Sequence, residues 1–139
     1  MRSLVPALLA LCGTAAIATA DVRLSEIFTN SPGTDNGQEF IELSGAAGQS
    51  LANLSVIVIE GDGTTTGNID AILNLSSFSL GSNGLFLWRD GASIIDTSIA
   101  PGVQGPDAGT TLNVADFNPD IENGSNTYLL VSGFTGALN

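Results

Sequence analysis

Histidine and lysine are absent from this 139-residue chain, and cysteine occurs once, at Cys12. Without histidine or a cysteine beyond position 12, zinc sites and Ser-His or Cys-His nucleophilic catalysis are excluded by residue inventory. Positive charge is nearly as scarce, with Arg2, Arg23 and Arg89 set against 14 acids. Nucleic-acid binding depends on lysine and arginine displacing counterions from phosphates, and an anionic membrane surface asks for the same groups, so neither partner is expected. Helical periodicity, internal repeats and low-complexity tracts are missing as well.

What is present begins with a leader. Arg2 is the only charge before "LVPALLALCGTAAIATA", an apolar run closing on Ala18-Thr19-Ala20, the small-x-small pattern cut by signal peptidase. Residues 1–20 therefore read as a signal peptide cleaved after Ala20, and 21–139 as one exported domain. A retained membrane anchor fits less well, because the run is short for a bilayer span and polar sequence follows at once. A lipoprotein anchor on Cys12 is disfavoured by the bulky Leu11 where a lipobox takes a small residue. Removing Arg2 leaves two arginines against 14 acids, a net charge of −12. The domain then has no cysteine, so no disulfide holds it, and core packing or bound ions must do so.

Turn-forming clusters recur at "NSPGTDNG", "SGAAGQS", "EGDGTTTGN", "LGSNG", "PGVQGPDAG" and "ENGSN", with short apolar segments between them. This punctuation predicts an all-β sandwich. The predicted strands are 22–29, 39–44, 54–60, 69–75, 85–89, 93–97 and 128–132. Three of them, "SVIVIE", "GLFLW" and "TYLLV", are apolar on both parities. A sheet with one wet face alternates apolar and polar residues, so these segments predict central strands with a shielded outer face, or a face covered by a partner or by further sequence.

The order "VRLSEIFTNSPGTDNGQEFIEL", then "SLANLSVIVIEGDG", then "FSLGSNGLFLWRD" resembles the lamin-tail domain over about residues 22–90. The later "ENGSNTYLLVSGFTG" is similar to secreted bacterial relatives of that family, which often end in a sorting anchor. The resemblance implies an immunoglobulin-like β-sandwich used outside the cell as an accessory or interaction module. It carries no family-wide catalytic residues, so none is transferred. The closing strands and a Pro-Glu-Pro-type anchor do not appear before Asn139, which leads us to expect that the sandwich lacks its last strand or strands here.

Three carboxylates ask whether the chain is an enzyme. Glu39 and Glu42 sit on one predicted strand and Glu26 on its neighbour, and two acids at the right separation are what a glycosidase requires. Parity opposes this, because residues three apart point to opposite faces and only one of the pair can face Glu26. Glu26 shares parity with Leu24 and Phe28, which predicts partial burial and a raised pKa. The structural alternative makes Glu39 and Glu42 strand-edge charges that hinder aggregation. Glu60–Gly63, "EGDG", reads as a hairpin loop, with no helix start or lysine to make a phosphate cradle. Phe86 and Trp88 share a face followed by Arg89, either core packing or a sugar-stacking platform. Asn53, Asn74 and Asn123 open glycosylation sequons, which carry no weight in a bacterial-type protein.

A cation would relieve the self-repulsion of a −12 chain. In "DFNPDIEN", Asp116, Asn118, Asp120 and Glu122 offer oxygen ligands at alternate positions, as a calcium loop begins. Ile121 and Thr127 depart from that pattern where glycine and a bidentate glutamate belong. Taken together, these residues predict a secreted or cell-surface, non-catalytic β-sandwich module for attachment to a protein or a cell-surface glycan. The alternatives are a small carboxylate-using carbohydrate-active or phosphoester-cleaving enzyme, and a calcium-stabilised adhesion module.

Overall fold

β-branched and aromatic residues concentrate between the Gly/Asn/Asp clusters, and there the chain extends. The computed structural model describes residues 21–29, 38–90, 106–115, 117, 121 and 123–138. Its strands are β1 (Arg23–Phe28), β2 (Phe40–Ser44), β3 (Leu54–Glu60), β4 (Ile69–Asn74), β5 (Leu85–Arg89), β6 (Thr111–Val114) and β7 (Asn126–Ser132). They form a four-stranded sheet in the order β1-β2-β5-β6 and a three-stranded sheet in the order β4-β3-β7. All pairings are antiparallel except β5 with β6. The architecture is the all-β sandwich expected. Among the described residues no helix is long and apolar enough to cross a membrane.

The core lies between the sheets. Ile41, Leu43, Phe86 and Trp88 point inward from one sheet, Val56, Val58, Ala71 and Leu73 from the other. These sets follow the period-2 alternation of strands, so each sheet buries one face along its whole length. Phe86 and Trp88 are therefore core residues and not an exposed sugar platform.

Two strand expectations need correction, and a third rests on residues that are not described. β6 lies where no strand was expected, and the strand expected at 93–97 falls outside the described residues. "TYLLV" belongs to β7, which among the described residues lies at the edge of its sheet and not at its centre. Its two-sided apolarity arises because Tyr128 and Leu130 pack on the core while Leu129 is 38% exposed on the outer face.

Two bulges break the parity on which the sequence argument relied. Leu24 pairs with Leu43 and Glu26 with Glu42, leaving Ser25 as an extra residue in β1. Val58 pairs with Ala71 and Ile59 with Ile69, leaving Asp70 as an extra residue in β4. An inserted residue turns every later side chain of that strand to the other face. Leu24 packs on the core, whereas Glu26 is exposed on the outer face.

Candidate functional site

The strand ends nearest Glu39 and Glu60 form one end of the sandwich. A hydrogen bond from the Tyr128 hydroxyl to Thr29 Oγ1, 3.3 Å, places the end of β1 beside the start of β7. Here the inward parity of three apolar strands runs one step past its last hydrophobic residue and lands on an acid. Glu39 precedes Ile41 by two, Glu60 follows Val58 by two, and Asp90 follows Trp88 by two. All three are buried, at 1%, 5% and 0% exposure respectively.

Glu39 and Asp90 act as anchors. The Asp90 amide donates to the Glu39 carbonyl at 2.9 Å, which holds the two residues side by side. Asp90 Oδ1 accepts the Phe117 amide at 3.0 Å, and Glu39 Oε2 accepts the Ile121 amide at 3.3 Å. Phe117 packs its ring 4.1 Å from Trp88, whose indole N–H donates to the Ala115 carbonyl at 3.2 Å. Buried carboxylates that accept backbone N–H groups satisfy donors the irregular connection would otherwise leave unpaired. These acids fasten the β6–β7 connection to the four-stranded sheet.

Glu60 sits differently. It is in register with Asn126 of β7, and Asp70, the bulged residue of β4, is close enough to interact with it electrostatically. Burial, and then the neighbouring Glu60 charge, push the Asp70 carboxyl above the usual value of 3.8. Asp70 Oδ2 is buried and accepts no hydrogen bond. A clamp fixes this corner: the Gly61 amide donates to the Ser125 carbonyl at 2.6 Å, and the Ser125 amide donates to Asp62 Oδ2 at 2.9 Å. A Cβ on Gly61 would lie 2.6 Å from the backbone oxygen of Ser125, so that position requires glycine, while one on Gly124 would push against the Asp62 carboxylate at 2.7 Å.

Of the three acids singled out from sequence, two are brought together and the third is not. Glu26 and Glu42 face each other across β1 and β2 on the outer face, where Ser25 Oγ donates to Glu42 Oε1 at 2.8 Å. Glu39 turns inward, so the three carboxylates divide between two faces. The partial burial expected of Glu26 is overturned by the bulge at Ser25. The edge-charge role expected of Glu39 and Glu42 is overturned too, because Glu39 is buried and β2 lies between β1 and β5. Glu60–Gly63 does open a hairpin connection, from β3 to β4. The calcium candidates Asp116, Asn118, Asp120 and Glu122 lie outside the described residues, as do the turn cluster "NSPGTDNG" and the leader through Ala20. Among the described residues no three or more acids, histidines or cysteines converge on a metal-sized space. The burial of Glu60 was missed although it closes the strand expected at 54–60, because it also opens the "EGDG" loop. Its parity with Val56 and Val58 was the available signal.

The outer faces carry a second feature. On the three-stranded sheet Ile57, Ile59, Ile69, Ile72, Leu129 and Val131 point away from the core, through the pairs Ile57–Ile72, Ile57–Leu129 and Ile59–Ile69. No protein-family model matches the chain, and no curated protein is similar enough in sequence to count as a relative.

Proposed function

We propose that the chain is an exported, non-catalytic β-sandwich module, resembling a lamin-tail domain, that attaches to a protein partner. The observation carrying this reading is the aliphatic outer face of the three-stranded sheet, where exposed Leu129 and half-buried Ile72 and Val131 surround a buried Ile57. Contiguous apolar surface on a sheet that already has a filled core favours contact with another protein. A glycan partner fits less well, since sugars are held by exposed aromatic rings with polar donors, and Phe86 and Trp88 are buried. Against hydrolysis stands the setting of the acids: Glu39 turns to the core, Glu26 is exposed on the outer face, and Glu42 opposite it accepts a hydrogen bond from Ser25 Oγ. The leader and the strand order that resembles the lamin-tail domain support export and a surface role.

A photo-crosslinking side chain in place of Leu129, in cells that export the protein, tests the reading. Discrete protein adducts at position 129, absent when the same group replaces exposed Asp107, are the expected result. No adduct at position 129, together with glycan or phosphodiester turnover that disappears in Glu26→Gln or Glu42→Gln, gives the enzymatic alternative instead.

A further inference from the structure

Arg23 and Arg89 both stand on the outer face of the four-stranded sheet. Phe86 and Trp88 point to the core, so Leu85, Leu87 and Arg89 of β5 point away from it. Register then sets two rows across that face, Phe28–Phe40–Arg89–Val114 and Glu26–Glu42–Leu87–Leu112. Part of it is covered, since Phe28 stacks on Phe40 at 5.4 Å and Phe40 and Leu87 are buried. Towards β6 it is open, with Leu112 and Val114 both exposed. The charges on this face are not matched within the chain. Arg23 donates through Nε to Ser44 Oγ, whereas Arg89 Nε is buried with no hydrogen-bond partner. Glu42 is diagonal to Arg89, at a separation a long side chain spans, but its Oε1 accepts the Ser25 hydroxyl. Glu26 stands directly opposite Glu42, and like charges so placed are destabilising. One face thus carries an unmet cationic donor and, in the next row, two crowded carboxylates.

We propose that the outer face of the four-stranded sheet is a contact between two copies of this chain, in which Arg89 of each copy pairs with Glu26 of the other and Leu112 and Val114 are drawn out of water. The charge pattern selects a second copy over other occupants. An acidic partner would meet Glu26 and Glu42, and a basic one would meet Arg89. A surface with both signs in adjacent rows is matched by its own twofold image, because a twofold axis in the contact plane exchanges the two positions and makes the same bond twice. Glu26 is the exposed member of the acidic pair, so its carboxylate is the one a second copy reaches. The guanidinium offers donors in a fork that takes a carboxylate by two bonds, and an arginine beside exposed aliphatic groups is the composition protein interfaces favour. Against the contact stands the acidity of the chain, 14 acids against few arginines. At physiological ionic strength exposed charges more than about 8 Å apart are largely screened, while a pair inside the contact is screened far less. Association is therefore weaker at low salt than at physiological salt. The contact lies on the opposite sheet from Leu129, so it holds whether or not that face takes a partner.

The test is sedimentation equilibrium of the purified chain from Asp21 at physiological salt, over a wide range of concentration. The wild type shifts from monomer to dimer as concentration rises. Arg89→Glu and Glu26→Arg each bring like charges together twice in the contact, so each weakens the dimer by about a hundredfold. An equimolar mixture of the two variants restores it, because each supplies the charge the other lacks. Circular dichroism checks that both variants are folded. Arg89 is half-buried and its variant can lose the fold, so Leu112→Ser, at an exposed position, gives a second reading and must also weaken the dimer. The proposal is overturned by a wild type that stays monomeric up to about 1 mM. It is equally overturned by folded single variants that dimerise like the wild type, by a mixture that stays monomeric, or by a dimer that survives Leu112→Ser. A dimer lost in Leu129→Ser but kept in Arg89→Glu would put the contact on the three-stranded sheet instead.

Discussion

Replacing Phe117 by alanine tests whether the end of the sandwich is held as described. Phe117 is 3% exposed although it lies in a connection, and its ring packs 4.1 Å from Trp88 while its amide donates to Asp90 Oδ1. Truncating a buried phenylalanine to alanine costs about 3–5 kcal/mol in lost transfer energy and residual cavity. The aromatic contact contributes about 0.5–1.5 kcal/mol beyond area, but a connection collapses into a cavity more readily than a strand does. These effects oppose each other, and the low end of the range, about 3 kcal/mol, is expected. That is roughly a hundredfold in the folded-to-unfolded ratio, and a domain with ordinary stability of about 5–15 kcal/mol remains folded. Urea unfolding followed by circular dichroism reads the loss. Trp88, the single tryptophan, reports the local change, because uncovering its ring shifts emission to the red. A loss under about 1 kcal/mol with unaltered emission would mean that Phe117 does not cover Trp88, and the anchoring role of Asp90 would fall with it.

Three further outcomes follow from the same geometry. Asp70 holds its proton more tightly in the folded than in the unfolded chain, so the stability this confers is fully present below 3.8 and is lost as pH rises through the higher folded value. In chelator Asp70→Asn is therefore more stable than wild type at neutral pH, with a gap that closes on acidification. A gap independent of pH would reject the burial of that charge. Gly61→Ala forces a methyl group against the Ser125 carbonyl and lowers stability by about 1–3 kcal/mol in urea titration, while an unshifted midpoint would mean the clamp is loose. N-terminal sequencing of exported protein begins at Asp21, and recovery of Met1 there would rule out cleavage after Ala20.

Period-2 alternation and turn chemistry were enough to place β3 and β5 to the residue and β1, β2, β4 and β7 to within two residues. Those segments are rich in Val, Ile, Leu and Phe, whose burial sets their register. β6 escaped because only two of its four residues, Leu112 and Val114, are apolar, and both lie on the outer face at 42% and 44% exposure. Its inward positions are Thr111 and Asn113, in register with Phe86 and Trp88. An edge strand that contributes little to the core carries no hydrophobic signal, and its parallel pairing is reached through a long connection that no local pattern announces.

The carboxylates were misplaced for a related reason. Parity projects a side chain correctly only while the pairing is regular, and a single extra residue reverses it. At Ser25 the reversal moved Glu26 out to the surface and dissolved the one feature that favoured acid catalysis. At Asp70 it set a second acid against a buried one. Where no bulge intervenes, parity extends beyond the hydrophobic run: Glu39, Glu60 and Asp90 each continue an inward row and each is buried. Two of these acids are matched by backbone amides of the β6–β7 connection, at Ile121 and Phe117. Glu60 instead lies in register with Asn126 of β7, and its charge adds to burial in pushing the Asp70 carboxyl up. That difference separates the two acids that anchor the β6–β7 connection from one that does not.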